Sequence, residues 1–237
     1  MFTQENLDQY IVKQVIVEVR HPFNLLFRTE ARKSLNKFVD DVEKINITGN
    51  DDSFAFVNEK KYFKFVANLD HFGMTVENAE SIETAEQLIK KYLLPISTEL
   101  GSKTCYRFGV RVVYLYSFKD SFDNLVEIYK KVFYKQPNLF STIGNIKDVG
   151  IIGLTLQDNN GLGINLSIGP FKKEEVKAKI SNFKTYDDIT PSSLMLDLDI
   201  FKNEKSNLTF SSTLHSFLEQ SRIKAVQFRE ELFSVKE

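Results

Sequence analysis

Residues 105–116 (CYRFGVRVVYLY) show the most regular alternation of side chains in the chain. Every second residue, from Tyr106 to Tyr116, is aromatic or β-branched, whereas the intervening positions include Arg107 and Arg111. Successive side chains of a β-strand point to opposite faces of its sheet, so this period of two predicts a strand. We expect one face of this strand to be buried and the other to carry both arginines.

Other stretches predict further strands and helices. Alternating or β-branched patterns predict strands at 11–20, 53–57, 61–67, 72–77 and 194–201, and a hairpin over 149–156 and 162–168. Apolar residues at helical spacing predict helices at 30–45, 82–100, 120–134 and 210–233. Pro95 is expected to kink or split the second of these helices. The charged segment 170–191 is expected to be mobile.

The order of these elements indicates the fold class. Strands and helices alternate irregularly, without the βαβα rhythm of a parallel doubly wound sheet. The sequence therefore predicts an α+β fold with a predominantly antiparallel sheet, helices packed on one face and a long C-terminal helix. At 237 residues the chain fits a single compact unit, 1–237. The connection QPNLFSTIGN is the best candidate boundary between two similar halves, 1–135 and 145–237, and a distant duplication is left open.

Charge and cysteine content exclude several classes of partner and site. Lys and Arg total 31 against 32 Asp and Glu, so the net charge of −1 gives no general attraction to nucleic acid or anionic lipid. Cys105 is the only cysteine, which excludes an internal disulfide and a cysteine-based zinc site within one chain. No signal-peptide pattern or membrane-spanning stretch is present, so we expect a cytoplasmic protein without membrane contact.

The common motifs of nucleotide binding and hydrolysis are absent from the sequence. It contains no GxxxxGK[ST] loop, no GxSxG elbow and no HExxH helix, and its histidines, His21, His71 and His215, are scattered. The glycines between 150 and 169 fall in the predicted hairpin rather than at a strand-to-helix turn that would hold phosphate. We therefore predict no catalytic residue, no cofactor and no bound metal.

Five polar side chains form what we call the candidate polar network: Arg107, Arg111, Asp197, Asp199 and His215. The two aspartates share one face of a predicted strand, where they could hold Mg²⁺ or Mn²⁺, or face solvent. The two arginines could bind an anionic ligand or pair with those carboxylates. His215, near the start of the final helix, could act as a base or a ligand, or take a hydrogen-bonded packing position.

Three segments together resemble a known family: IVKQVIVEVRHP, YRFGVRVVYLYSF, and LMLDLDIF with the later LHSFLEQSRIKAVQFREEL. They are similar to a sporadically distributed, uncharacterised prokaryotic family with an Arg-Φ-Gly-Φ-Arg-Tyr strand, a Leu-Asp-Φ-Asp strand and a Leu-His pair in a long C-terminal helix. Here Val112 stands in place of the tyrosine, and Arg229 follows Phe228 where an acid is usual. The resemblance implies no established activity. The family's patchy distribution suggests mobile elements or defence-related gene clusters.

Three hypotheses about function follow. The first is a non-enzymatic binding protein with a protein partner, in a prokaryotic defence, phage-defence, counter-defence or toxin-related system. The second is a metal-dependent hydrolase or nuclease that uses Asp197, Asp199 and His215, with an arginine stabilising phosphate charge. The third is a small-ligand sensor with a Phe-lined cavity between the sheet and the final helix. A homo-oligomer is compatible with each.

Overall fold

The computed structural model of the protein describes residues 7–25, 33, 36–41, 44–48, 53–99, 104–134, 149–157, 161–180, 190–203, 206–207 and 209–234. Its strands are β1 Leu7–Arg20, β2 Lys44–Thr48, β3 Ser53–Asn58, β4 Phe63–Asn68, β5 His71–Glu77, β6 Thr104–Cys105, β7 Arg107–Phe118, β8 Ile152–Gln157, β9 Gly163–Lys172, β10 Ser192–Lys202 and β11 Ser206–Asn207. Its helices are α1 Ile82–Glu99, α2 Phe122–Phe133, α3 Lys173–Ile180 and α4 Phe210–Ser234, with a 3-10 turn at Val39–Asp41.

Within these residues, nine strands form one antiparallel sheet in the order β2-β3-β4-β5-β1-β7-β10-β9-β8, and β6 pairs with β11 separately. The strand predicted from its strict alternation, β7, lies near the centre between β1 and β10. Every strand pair in the sheet is antiparallel. The predicted α+β class with an antiparallel sheet and a long C-terminal helix is confirmed.

One side of the sheet, which we call the first face, packs against α1, α2 and α4. Val15, Val112 and Leu198 are neighbours across three strands and are buried there. The helices cover them with apolar stripes that include Leu93 of α1 and Leu218 of α4. Burying each such side chain stabilises the fold by about 1.5–3 kcal/mol, so these stripes hold the helices in place.

The opposite side, the second face, is covered at one end by the short helix α3. Val176 of α3 is buried with Val113 of β7 and Met195 of β10 in a separate apolar cluster. The expectation of a mobile segment over 170–191 is therefore wrong for Lys173–Ile180, because burial of Val176 anchors this helix. Residues 181–189 lie outside the described part of the chain.

Two other local predictions differ from the structure. Lys44 and Ile45 belong to strand β2 rather than to the predicted helix 30–45, of which residues 30–32, 34–35 and 42–43 lie outside the described part of the chain. Pro95 does not split α1, which runs from Ile82 to Glu99. The buried side chains of Tyr92 and Ile96 flank the proline and pack both parts of the helix onto the rest of the core.

β1 and β7 are each followed in the chain by a run of antiparallel strands, β2–β5 after β1 and β8–β10 after β7. The last strand of each run pairs with the strand that precedes the run. β5 returns to β1 and β10 returns to β7, and each run extends outward to an edge of the sheet. The β1–β7 pairing joins these runs into one continuous sheet. The predicted boundary at 136–145 lies outside the described residues, and the duplication of two halves stays a prediction.

Candidate functional site

Four members of the candidate polar network lie together on the second face. Arg107 and Arg111 come from β7, and Asp197 and Asp199 come from the neighbouring strand β10. Alternation along each strand places all four opposite the apolar residues that face α1 and α4. β7 and β10 thus bring together residues from distant parts of the chain.

Arg111 and Asp197 form the tightest pair of this cluster. The guanidinium donates from Nε to Oδ1 at 2.8 Å and from Nη2 to Oδ2 at 2.6 Å, so both carboxylate oxygens are engaged. Asp197 is buried, with 8% of its surface exposed. The hydrogen bonds to Asp197 raise the pKa of Arg111. This two-point contact holds the carboxylate in one orientation.

Asp199 is held from two sides. Arg107 donates from Nη2 to its Oδ2 at 3.0 Å, and Asn165 of β9 donates from Nδ2 to the same oxygen at 3.2 Å. The Arg107 guanidinium also lies 4.2 Å from the ring centroid of Phe201, a cation–π geometry. The sequence left two arrangements open for these carboxylates: pairing with the arginines, or a pair that faces a metal ion. In the structure the arginines pair with the carboxylates.

Gly109 explains how Arg107 reaches a residue that is not directly opposite it. Asp199 lies in register with Arg111, so Arg107 must run along the strand surface toward it. A Cβ on Gly109 would lie 3.3 Å from Nη2 of Arg107. Because glycine has no side chain, the guanidinium passes over it and stays close to the sheet.

His215 is not part of this cluster. It lies on α4, which packs on the first face, and its imidazole Nδ1 is 3.2 Å from both carboxylate oxygens of Glu86 on α1. Burial opposes ionisation of Glu86, but the hydrogen bonds and charges of Lys90 and His215 outweigh it and lower the pKa of this carboxyl. The structure therefore places His215 in a contact between two helices, on the other side of the sheet from the aspartates.

The described residues contain no group of three or more His, Cys, Asp or Glu side chains that could hold a metal ion. A Mg²⁺ or Mn²⁺ ion at Asp197 and Asp199 would lie beside two guanidinium groups, whose positive charge opposes a further cation there. Asp197 uses both of its oxygens for Arg111, and Asp199 uses one oxygen for two donors. The chemistry that this cluster supports is ion pairing across strands.

A pocket that the sequence reasoning missed lies at one end of the sheet, where β1 ends and β5 begins. It has a volume of about 600 Å³, and we call it the end pocket. Its lining residues are Glu18, Arg20, His21, Phe23, Asp70, His71 and Tyr106. Backbone hydrogen bonds from His21 N to Asp70 O, 2.8 Å, and from Tyr106 N to Arg20 O, 2.7 Å, bring these segments together. Only the scattered histidines His21 and His71 gave a sequence signal for it.

Large apolar side chains are exposed at the end pocket. Phe23 has 65% of its surface exposed and Tyr106 has 49%, and the nearby Leu25 has 60%. Two carboxylates, Glu18 and Asp70, line the same pocket. Exposed aromatic rings beside charged groups are typical of contact surfaces for other molecules.

His21 lies beneath this surface and is almost fully buried, with 2% of its surface exposed. Burial lowers the pKa of its imidazole, which favours the neutral ring. Nδ1 lies 2.8 Å from the carbonyl oxygen of Pro22, so in the neutral ring it carries the proton and donates there. Among the residues that the structure describes, none is a hydrogen-bond partner of Nε2. The ring also packs against Phe72, with centroids 5.7 Å apart.

A second pocket, of about 610 Å³, lies between β1, the start of α1 and α4. We call it the helix-end pocket. Arg222 and Arg229 of α4 line it, together with Tyr10 of β1 and Ser81, whose hydroxyl caps α1 by accepting from Thr84 N at 3.1 Å. Arg222 also donates two hydrogen bonds to Glu219. This pocket combines the two arginines with the carboxylates of Glu80 and Glu83 and with the positive end of a helix dipole.

Comparisons with known proteins give little further information. No protein-family model and no curated protein match the chain. Among solved structures, it is similar to the substrate-free duplicated taurocyamine kinase from Schistosoma mansoni, with 8% sequence identity and a TM-score of 0.32. The similarity covers 88% of this chain but only 33% of that one, and at this TM-score it supports no argument about function. None of the helices in the described ranges has the length and apolar character needed to cross a membrane.

Proposed function

We propose that this protein is a non-enzymatic binding protein that contacts a protein partner through the end pocket. The observation that carries the proposal is a contrast between two parts of the surface. The two arginines and two aspartates of the second face are engaged with each other, whereas Phe23 and Tyr106 are exposed in the end pocket. Aromatic residues that sit in partly enclosed sites contribute a large share of the binding energy in protein interfaces.

The metal-dependent hydrolase hypothesis has less support. Such an enzyme needs its acid, base and metal ligands to converge in one cleft. Asp197 is held by Arg111 on the second face, and His215 is held by Glu86 on the side of the first face. These groups lie on opposite sides of the sheet and do not converge.

The composition of the end pocket indicates the chemistry of its partner. Phe23 and Tyr106 offer apolar surface, and Asp70, with a side chain 66% exposed, offers a carboxylate. A partner segment with an apolar side chain beside a lysine or arginine matches this combination. The family resemblance adds that such a partner is to be sought among proteins of defence, counter-defence or toxin-related systems.

The proposal can be tested by purifying tagged protein from its own host and identifying the bound proteins by mass spectrometry. Wild-type protein should retain a stoichiometric partner. The double variant F23S/Y106S should lose it, because both substitutions remove exposed apolar area without changing the core. I223S is the matched control, since Ile223 is exposed to a similar degree, 43%, but lies on α4.

Two results would contradict the proposal. One is a partner that binds F23S/Y106S as tightly as wild-type protein. The other is hydrolysis of a phosphodiester or a nucleic acid that requires Mg²⁺ or Mn²⁺ and disappears in D197N/D199N. That second result would establish the hydrolase instead.

The helix-end pocket favours one further candidate, a small-ligand sensor. The hypothesised Phe-lined cavity under the final helix does not suit it, because Phe108 packs edge to face with Phe210 and Phe217, at centroid distances of 5.7 Å and 5.5 Å, and occupies that space. Arg222 and Arg229 are instead the groups that would bind a small anion between β1 and α4, and Glu80 and Glu83 in the same lining would limit its charge. Thermal-shift measurements with inorganic phosphate and with nucleotides should show stabilisation that R222A/R229A loses, and no shift with any anion would remove this candidate.

A further inference from the structure

Strand β8 lies at the edge of the sheet, and most of its residues are exposed. Five of its six residues, Gly153 to Gln157, are exposed, and only Ile152 is half-buried. Among the described strands it pairs with β9 alone, so the hydrogen-bonding groups along its other side face away from the sheet. In an antiparallel strand, alternate residues direct both their N–H and their C=O to the same side. Within the described part of the chain, the backbone groups of about half of β8 therefore have no strand partner.

This edge lacks the features by which proteins prevent strands from adding to a sheet. Charged side chains, prolines and bulges usually protect an exposed edge. The sequence of β8, IGLTLQ, contains no charged residue and no proline, and its pairing with β9 runs without a register shift. The opposite edge strand, β2, begins with Lys44. Of the two edge strands that the structure describes, β8 is therefore the one without a charged residue.

The side chains of β8 divide into an apolar and a polar set. Leu154 and Leu156, which are 49% and 45% exposed, pair in register with Leu166 and Ile164 and so lie on the first face, beside the main core. Thr155 lies on the second face, where its hydroxyl donates to Asn165 at 3.0 Å. The apolar set would extend the core of the first face if a further strand were added.

We propose that β8 is a self-association surface, at which two copies of this chain pair their β8 strands antiparallel about a two-fold axis through Thr155. In this register Leu154 of each copy lies opposite Leu156 of the other, so that four exposed leucines meet on the first face. Directly opposed residues of an antiparallel pair point to the same face of the sheet. A register shifted by one residue would therefore place the leucines of the two copies on opposite faces. A surface without charge meets no repulsion from its own copy.

A second copy is a better match to this edge than a charged or irregular segment. Two-fold pairing requires a surface that is complementary to itself. β8 meets this condition in its backbone, because an antiparallel pair uses the same hydrogen-bonding pattern from both sides. It also meets it in its side chains, since the leucines occupy symmetric positions about Thr155. The inference does not depend on the proposed function of the end pocket, which lies elsewhere in the sheet.

The oligomeric state tests this surface. Because a six-residue strand pair is a small interface, below the roughly 1,200 Å² of a typical stable one, self-association should rise steeply between about 1 µM and about 200 µM in sedimentation equilibrium. L154K/L156K should weaken it at least ~100-fold, since four ammonium groups would meet at the pairing line. I223K, an equally exposed apolar position on α4, should dimerise like wild-type protein. A wild-type monomer throughout this range, or a dimer that persists in L154K/L156K, would overturn the proposal.

Cross-linking tests the register. The two copies of residue 155 would lie about 4.5–5.5 Å apart between Cα atoms, within the range of a disulfide. Thr155→Cys should therefore form a covalent dimer under mild oxidation. Gly153→Cys, whose added Cβ meets no atom closer than 4.0 Å, should not, because its two copies would be about 13 Å apart. The native Cys105 is buried and should stay unreacted in both. Equal cross-linking of the two variants would overturn the stated register.

Discussion

Asp197 and Asp199 each accept hydrogen bonds from an arginine on the adjacent strand. These pairs are partly buried, so the loss of hydration offsets much of their attraction, and their main effect is to fix the orientation of the side chains. Removing Arg111 alone would be more costly, because Asp197 is largely buried and would lose both of its donors. The residues that most invite a catalytic interpretation are thus the ones that neighbouring charges constrain most.

Gly73 provides a sharp test of packing at the centre of the sheet. A Cβ on this residue would lie 2.5 Å from the backbone carbonyl oxygen of Val17, an atom that cannot move without separating β1 from β5. We expect G73A to lower the free energy of unfolding by about 1–3 kcal/mol, measured by urea denaturation. G153A, at a glycine with open space around its Cβ, is the control and should be close to neutral. Equal stability of the two variants would disprove the close approach.

His21 should make stability depend on pH in the weakly acidic range. Burial lowers the pKa of its imidazole below the ordinary value of 6.5, with smaller opposing effects from the hydrogen bond to Pro22 and the charge of Asp70. The unfolded chain then binds the proton more tightly than the folded protein, so stability is complete above pH 6.5 and falls as the pH drops below it. The free energy of unfolding of wild-type protein should decrease from pH 7.5 to pH 5.5 more than that of H21Q. Parallel curves for the two proteins would show that His21 is not the titrating group.

Helices α2 and α4 are tied to the sheet by tyrosine hydroxyls as well as by apolar contacts. Tyr114 lies 2.9 Å from the Ser221 hydroxyl, Tyr116 donates to the Ala225 carbonyl at 2.9 Å, and Tyr129 donates to the Ile168 carbonyl at 3.0 Å. Burial raises the pKa of all three phenols, that of Tyr129 to about 12. These neutral donors satisfy polar groups inside the core and specify how each helix sits on the sheet.

Tyr114 allows the contribution of one such bond to be measured. Y114F should cost about 0.5–2 kcal/mol, because the hydroxyl of Ser221, which is fully buried, loses its partner. Y114F/S221A should cost less than the sum of the single changes, since it leaves neither polar group unpaired. Y106F, at a tyrosine that is half exposed, should leave the melting temperature unchanged. Additive costs for Y114F and S221A would argue against a direct bond between them.

Across the whole molecule, the β1–β7 pairing joins the runs of strands on either side into one sheet with a shared core. The extensive contact between β7 and β10 would be lost if the chain were divided between the predicted halves. Fragments with such exposed edges and apolar surfaces rarely fold alone. The continuity of the sheet therefore favours unfolding as one unit.

We expect chemical denaturation of the full chain to show a single transition that coincides by far-ultraviolet circular dichroism and by tyrosine fluorescence. A fragment of residues 1–135 should fail to give a cooperative transition, because Val112 and its neighbours on β7 would lose the cover of β10. Two separated transitions, or a stably folded fragment, would show that the halves are independent domains.

The elements that could be predicted from sequence are those with a strong local period. β7, β10 and α4 lie within one or two residues of their expected ranges, since alternation and helical spacing are properties of neighbouring residues. β2 and α3 were missed. The short strand β2 has few residues to show a period, and α3 has a highly charged sequence in which the buried Val176 gives no helical period.

The candidate site was predictable only in part. Its residue types and the face that each occupies followed from alternation along β7 and β10, whereas the match of Arg111 to Asp197 joins residues 86 positions apart. That match depends on which strands pair and in which register, which no local pattern specifies. The same holds for the end pocket, which is assembled from three separate segments by backbone hydrogen bonds that join residues 20, 21 and 24 to residues 106, 70 and 69 respectively.

The sequence by itself determined the α+β class, the central strands, the long final helix and the absence of common catalytic motifs, because periodicity and composition act over short distances. Only the tertiary structure decided that the arginines and aspartates neutralise one another, that His215 lies across the sheet from them, and that Phe23, Tyr106 and β8 stay exposed. These outcomes depend on the order and register of nine strands. Burial of the whole core sets that order, and no single segment contains it.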